Sequence, residues 1–249
     1  MISSWSLSVR AKGALVSSDV TLVLAHGAWA DGSSWNKVIK AVEAAGIRAI
    51  ATPLPLTSLR DDVIALDRTL DHVMGPVVLA GHAYAGSVIG STRAENVKAL
   101  VYVTALAPDE GETVGDVLGR GTPHPSAPTL APDAHGLIWL PDEAFAAAFA
   151  PDASAEDQTW LRAVQRPISA ASITEPVGRP LWKDIPSWYL IARNDRMILA
   201  EKQRFMAERM GAMVREYDVD HMPLLTAPDV VADLLIQVVE KVRADLSQG

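Results

Sequence analysis

The sequence contains no cysteine, which excludes disulfides, thiolate metal sites and a cysteine nucleophile. Basic residues are also scarce: 22 Lys and Arg stand against 30 Asp and Glu, so the net charge is −8 and a basic nucleic-acid surface is not expected. No apolar run approaches the roughly 20 residues of a membrane span, and the first residues lack the pattern of a signal peptide. We therefore expect a cytoplasmic protein that binds neither nucleic acid nor membrane.

The chain does have enough length and apolar content for one globular domain, with 249 residues of which 49% are hydrophobic. Residues 108–180 differ from the rest. They hold eleven acidic and four basic residues, a net −7 of the total −8, and ten of the sixteen prolines. Because so much proline excludes long helices and central strands, we predict a folded cap over 108–180, inserted into a core of residues 1–107 and 181–249. A short helix is expected near 142–150.

Outside this segment, short apolar runs alternate with amphipathic helical patterns. Six runs predict strands, over Val20–Ala25, Ile47–Ala51, Pro76–Ala80, Val97–Thr104, Ser187–Ala192 and Ala212–Val219. Five stretches predict helices, over Trp35–Ala45, Asp61–Val73, Tyr84–Asn96, Ala200–Met210 and Pro228–Leu246. This alternation predicts an α/β fold with a mainly parallel sheet that helices cover on both faces. Residues 1–17 have no strong pattern and are predicted to be an edge strand or a loose tail.

The most informative stretch is VVLAGHAYAGSVIG, residues 77–90, where a buried strand enters a tight turn and leaves as a helix. A G-x-nucleophile-x-G turn of this kind places its central side chain above the carboxyl edge of the sheet, where open α/β sheets bind ligands. The central residue here is Ala83 rather than serine. An incidental glycine-rich turn is the alternative, but the stretch matches no nucleotide-binding loop.

Other strand ends carry residues that fit around this turn. Asp195 follows the strand at 187–192 and His221 follows the last strand, which reproduces the order nucleophile, acid, base of this architecture. Asp109, after the fourth strand, is a second possible acid. The loop after the first strand offers the backbone N–H of Ala28, and the turn offers that of Tyr84, so these two are the expected oxyanion donors.

Together these pieces resemble the α/β-hydrolase fold, in the branch of small esterase-like hydrolases that also holds plant methyl esterases and hydroxynitrile lyases. The resemblance implies a nucleophile at position 83, Asp195 as acid, His221 as base, and Ala28 with Tyr84 as oxyanion donors. The lyases of this group have a lysine directly after the base, and Met222 at that position favours the esterase side. The resemblance spans nearly the whole chain and rests on HGAWADGSSW (26–35), GHAYAG (81–86), ALVYVTALAPDEGE (99–112), DRMI (195–198) and DHMP (220–223).

Ala83 excludes acylation at that position, because loss of the serine costs a serine hydrolase roughly 10⁶ in turnover. Ser87 lies one helical turn further on and nothing in the pattern aims it at the site. Either Ala83 is an engineered replacement of serine or it is native. If it is native, His221 with Asp195 acts as a general base without a covalent step, as in a lyase, or the fold serves as a non-catalytic receptor for a small molecule.

The predicted pocket is largely apolar and needs no metal or cofactor. His124, His135 and Asp133 match no metal-ligand spacing. The negative cap disfavours anions, so we expect a small neutral, fairly apolar ester or lactone as substrate, bound by a monomer or homodimer. The expected pocket walls are Trp29, His82, Tyr84, Leu106, Trp139, Phe145, Phe149 and Met222.

Overall fold

The computed structural model describes residues 19–248, so the prediction for residues 1–17 lies outside the described residues. Six strands form one sheet in the order β2-β1-β3-β4-β7-β8, and every pairing in it is parallel. Two further strands, β5 and β6, pair with each other in antiparallel fashion. This confirms the predicted mainly parallel sheet. The strands are β1 (Thr21–Ala25), β2 (Ala49–Thr52), β3 (Val77–His82), β4 (Val97–Val103), β5 (Leu137–Ile138), β6 (Ile168–Ser169), β7 (Ser187–Ala192) and β8 (Met213–Tyr217).

The helices lie close to their predicted positions, with one exception. The helix expected over 84–96 ends at Ser91, because Thr92 has an extended backbone and its hydroxyl donates a hydrogen bond to Asp67. The helices are α1 (Asn36–Ala44), α2 (Leu59–Asp71), α3 (Ala85–Ser91), α4 (Val114–Leu118), α5 (Asp142–Ala144), α6 (Ala155–Val164), α7 (Ala170–Thr174), α8 (Ala200–Met210), α9 (Pro223–Thr226) and α10 (Pro228–Leu246). Within the described chain, no helix combines the length and apolarity needed to cross a membrane.

Two apolar clusters lie on opposite faces of the sheet. Side chains of β1 alternate between them, with Val23 in one cluster and Leu22 and Leu24 in the other. All three are fully buried, which confirms that both faces of the sheet are covered. The segment 108–180 lies between β4 and β7 and contributes short helices and the β5–β6 pair. The carboxyl ends of β1, β3 and β7 meet at one edge of the sheet, where the predicted site residues follow them.

Candidate active site

The turn after β3 is tight enough to force an unusual backbone. β3 gives way to α3 within two residues, Ala83 and Tyr84, and Ala83 has φ of +49°, a left-handed conformation that residues other than glycine seldom adopt. The Ala83 carbonyl accepts hydrogen bonds from the N–H groups of Gly86 (3.1 Å) and Leu106 (2.9 Å). A side chain at position 86 would overlap the Leu106 carbonyl oxygen, so this turn requires glycine there. Such a strained turn is the geometry of a nucleophile elbow.

The structure brings His221 and Asp195 together. The Nδ1 of His221 donates to Oδ2 of Asp195 at 2.8 Å, and both side chains are almost wholly buried. The same oxygen accepts a second hydrogen bond from Nε2 of Gln203 at 2.9 Å. The other oxygen, Oδ1, accepts hydrogen bonds from the backbone N–H groups of Met197 (2.7 Å) and Ile198 (2.8 Å). Four donors therefore fix the carboxylate, and the carboxylate fixes the tautomer of the imidazole. Its Nε2 is left with a lone pair and no hydrogen-bond partner in the described chain.

Gln203 is a member of this network that the sequence analysis did not identify. It is fully buried on α8, where its Oε1 accepts the N–H of Ala192 (3.0 Å) and its Nε2 donates to the Ile198 carbonyl (2.6 Å) as well as to Asp195. The available signal was a glutamine on the buried face of a predicted helix. The alternative acid, Asp109, instead forms an ion pair with Lys183.

Two backbone N–H groups have no acceptor among the residues that the structure describes. Those of Ala28 and Tyr84 donate to no group in the described part of the chain, although both residues are more than nine-tenths buried. Buried backbone donors are nearly always paired, so two unpaired ones in one place call for an acceptor. A carbonyl oxygen that gains negative charge would supply it.

Two buried histidines hold the backbone around the site. The Nε2 of His26 accepts the Leu54 N–H (3.1 Å), and its Nδ1 donates to the Gly27 carbonyl (3.0 Å). The Nε2 of His82 donates to the carbonyl of His221 at 2.8 Å. Burial lowers the pKa of His26 to about 4 and that of His82 to about 3. Both rings are therefore neutral at pH 7 and act as positioning groups.

Tyr84 is anchored by a buried carboxyl group. Its hydroxyl donates to Oδ2 of Asp62 at 2.7 Å, and Oδ1 of the same side chain accepts the N–H of Leu56 at 2.7 Å. Burial raises the pKa of Asp62 to about 6, although these two hydrogen bonds oppose the shift. The elbow residue that offers an unpaired N–H is thus tied to the start of α2.

A cavity of about 200 Å³ opens onto this arrangement. Six of the residues proposed from the sequence line it: Ala28, Trp29, Ala83, Tyr84, Leu106 and His221. Most of the remaining lining is apolar, from α4, from the chain near residues 123–130 and from residues 197–198. Lys202 of α8 also lines the cavity, and the sequence analysis did not anticipate it.

Five side chains expected in the pocket wall lie outside the lining, and this corrects the prediction. Trp139 is 48% exposed, with its indole N–H directed at Asp133, so it belongs to the surface. The other four are fully buried because they pack into the protein core rather than against the cavity. Phe149 and His82 flank the ring of His221, with centroids 5.3 and 5.0 Å away. The four are His82, Phe145, Phe149 and Met222.

Comparisons with known proteins identify the family of this chain. A family model described as the alpha/beta hydrolase family matches residues 22–234. A probable hydrolase, R7, from Phoma sp. is 24% identical over 256 residues, which cover 87% of this chain and 97% of the relative. Methylesterase 8 from Arabidopsis thaliana is also 24% identical, over 247 residues that cover 88% of this chain and 89% of the relative.

The fold is shared with solved structures. A pyrethroid hydrolase from Sphingobium faniae JZ-2 superposes with a TM-score of 0.76 at 22% identity, covering 89% of this chain and 98% of that one. Polyneuridine aldehyde esterase superposes with a TM-score of 0.73 at 20% identity, covering 88% and 99%. Because the family match covers most of the chain, the chain belongs to the alpha/beta hydrolase family.

Proposed function

We propose that this protein hydrolyses a small ester or lactone by general-base catalysis at His221, without a covalent acyl-enzyme. One observation carries the proposal: His221, which the buried Asp195 carboxylate holds through Nδ1, lines the same cavity as Ala28 and Tyr84, whose backbone N–H groups are unpaired within the described residues. Ala83 occupies the nucleophile position in that cavity, and a methyl group cannot attack a carbonyl carbon. The base is therefore proposed to act on water.

The proposed reaction needs only water, the ester and the groups that line or support the cavity. Nε2 of His221 takes a proton from water as the water oxygen bonds to the carbonyl carbon, and the C=O electron pair moves onto oxygen. That oxygen accepts hydrogen bonds from the backbone N–H groups of Ala28 and Tyr84, while Asp195 stabilises the imidazolium. The electron pair on that oxygen then re-forms the C=O bond as the C–O bond to the alcohol breaks, and the leaving oxygen takes the proton from Nε2. The products are a carboxylic acid and an alcohol or, from a lactone, one hydroxy acid.

The expected rates follow from these parts. A positioned base contributes about 10² to 10⁴, and one oxyanion donor about 10² to 10³. The serine mechanism would add several powers of ten more, because nucleophile and base act as one unit. We therefore expect measurable but slow turnover from this chain.

The cavity limits what can react there. A space of about 200 Å³ with mostly aliphatic and proline walls suits a compact, largely apolar acyl or alcohol group. The small ester or lactone expected from the sequence is kept in this proposal.

The test is hydrolysis of p-nitrophenyl butyrate by the unaltered chain and by His221→Ala. We expect slow turnover that falls by about 10² or more in the variant, and no labelling by a fluorophosphonate, which needs a reactive serine. His72→Ala, at an exposed histidine outside the cavity, is the matched control and is expected to retain full activity. Turnover unchanged in His221→Ala, or no turnover together with tight binding of small esters, would contradict the proposal; the second result would favour a receptor.

A further inference from the structure

Lys202 is the one charged side chain of α8 that lines the cavity, and it is unusually buried for a lysine. Only 7% of the residue is exposed. Its ammonium group donates to the carbonyl of Leu118, at the end of α4, with Nζ and oxygen 2.6 Å apart. That single hydrogen bond is its only polar contact within residues 19–248.

This placement is unfavourable for a cation unless something compensates. A buried ammonium without a counterion loses hydration, and the single carbonyl of Leu118 replaces only part of it. Burial accordingly lowers the pKa of Lys202 below its usual value, although the charge of Glu201 opposes the shift. Three lysines with more exposed side chains do have carboxylate partners: Lys37, Lys183 and Lys241 pair with Asp157, Asp109 and Asp245, respectively.

The cavity offers an anion a favourable environment around this ammonium. Neither aspartate nor glutamate is among the residues that line it. An ammonium carries three N–H donors, and the Leu118 carbonyl uses one of them. The remaining donors suit a monoanion with an apolar body, whereas a phosphate would need several more donors than one lysine supplies.

The local charge outweighs the negative charge of the segment 108–180. Three carboxylates of that segment, those of Asp109, Glu112 and Asp157, already have cationic partners. Exposed charges are also screened beyond about 8 Å at physiological salt, whereas charges in a buried cavity interact through a lower effective dielectric constant. The expectation of a neutral ligand, which rested on net charge, therefore does not describe the cavity.

We propose that Lys202 binds the carboxylate of an anionic ligand, so that the substrate class is a small ester or lactone with a free carboxylate at the end remote from the reacting carbonyl. The ester part of this statement rests on the proposed function above. The anion site rests on the burial, the contacts and the cavity position of Lys202.

Calorimetric titration with two ligands of the same length tests the site. The first is monomethyl adipate, a half-ester with a free carboxylate, and the second is the corresponding methyl ester with a neutral primary amide in place of that carboxylate. We expect the half-ester to bind the unaltered chain at least about tenfold more tightly, with a preference that declines as salt is added. Lys202→Met should abolish the preference and keep the affinity for the amide, whereas Lys202→Arg should retain the preference.

Equal affinity of the unaltered chain for the two ligands would overturn the proposal, and so would a preference that survives in Lys202→Met. If Lys202→Met also fails to bind the amide ligand, the substitution has disturbed the cavity itself. The preference for the half-ester is then tested by comparing the unaltered chain with Lys202→Arg. His221→Ala should keep the preference, because that change leaves Lys202 in place. Preferential binding of the half-ester without any hydrolysis would refute the proposed function alone, and hydrolysis of neutral esters without preference would refute the anion site alone.

Discussion

The two sides of the cavity are built in different ways. We call the first the sheet side, formed by the residues that follow β1, β3 and β7 together with His221, and the second the cap side, formed by α4 and residues 123–130. On the sheet side the polar groups are buried and linked by directed hydrogen bonds, as Asp195 with its four donors shows. The cap side presents aliphatic and proline side chains, and Leu118 contacts Lys202 through a backbone carbonyl.

This difference indicates how the tasks are divided. Directed hydrogen bonds hold reacting groups to within fractions of an ångström, which catalysis requires, whereas apolar contacts tolerate rearrangement and select by shape. The same substitution is therefore expected to have a large effect on the sheet side and a small one on the cap side.

The largest effect is expected from introducing a hydroxyl at the elbow. Ala83→Ser should increase kcat on p-nitrophenyl butyrate by about 10³ or more, because serine and His221 would then act as one unit, and it should confer labelling by a fluorophosphonate. Ala127→Ser makes the same chemical change on the cap side of the cavity and should alter kcat less than about twofold. No gain in Ala83→Ser would show that His221 is not positioned for a residue at 83.

Acid should destabilise the sheet side first. His26 and His82 have folded-state pKa values of about 4 and about 3, below the ordinary value of 6.5 to which they return on unfolding. Their contribution to stability is present above pH 6.5 and is lost as the pH falls through the folded pKa values, because the unfolded chain then binds protons that the folded chain does not. Each histidine contributes a slope of about 1.4 kcal/mol per pH unit.

Two variants separate the contributions to this slope in urea unfolding between about pH 4 and pH 7. His82→Gln keeps a donor for the His221 carbonyl and should remove about half of the histidine slope. Asp62→Asn should steepen the loss of stability below pH 6, because Asp62 has a raised pKa, and its protonation in the folded state opposes the histidines. Identical slopes in all three proteins would contradict this assignment.

Glycine replacements compare the packing of the two sides. Gly86→Ala should lower the free energy of unfolding by about 3 kcal/mol, because the new methyl group meets the backbone of Leu106. Gly115→Ala, in α4, meets its nearest neighbour at 3.5 Å, and should raise stability slightly through helix propensity. Chemical denaturation measures both, and similar losses would refute the contrast.

Much of the sheet side could be predicted from the sequence, since Ala83 and Asp195 each follow a strand whose continuous apolar run marks it as buried, and His221 follows the last predicted strand, which lies at the exposed edge of the sheet. Because the carboxyl ends of parallel strands lie at one edge of a sheet, the three distant loops that hold Ala83, Asp195 and His221 are predicted to meet there. Gln203 could not be predicted in the same way, because its role depends on the rotation of α8 against β7. The pairing of Lys202 with α4 depends on how the segment 108–180 folds back.

The cap side was harder to predict for a physical reason. An apolar side chain in an irregular segment can bury against a ligand cavity or against the core, and its sequence pattern is the same in both cases. Phe145 and Phe149 were expected in the pocket, but they lie in the core cluster beneath His221. Proline and alanine residues near 123–130 line the cavity instead.

A smaller effect is expected from the glutamine that holds the acid. Gln203→Leu removes one of four donors to Asp195 and should lower kcat about tenfold with little change in KM, because the change alters the orientation of His221 rather than the cavity. Gln158→Leu is the matched change in the cap segment, where that amide binds only backbone carbonyls, and should leave kcat unaltered. Equal effects of the two variants on kcat would show that Gln203 has no specific role in positioning Asp195 and His221.

The smallest effect is expected from a substitution at Trp139, which tests whether this residue lies outside the cavity. Its indole is half exposed and its hydrogen bond to Asp133 lies at the surface, so Trp139→Phe should change stability by less than about 0.5 kcal/mol and kcat/KM by less than about twofold. Trp29→Phe is the matched change inside the cavity. There the indole N–H donates to the Ile138 carbonyl at 2.9 Å, so its loss removes the hydrogen bond that orients this part of the cavity wall and should raise KM several-fold. If Trp139→Phe instead changed KM as much as Trp29→Phe, Trp139 would contact the substrate, and the cap side of the cavity would include the surface around it.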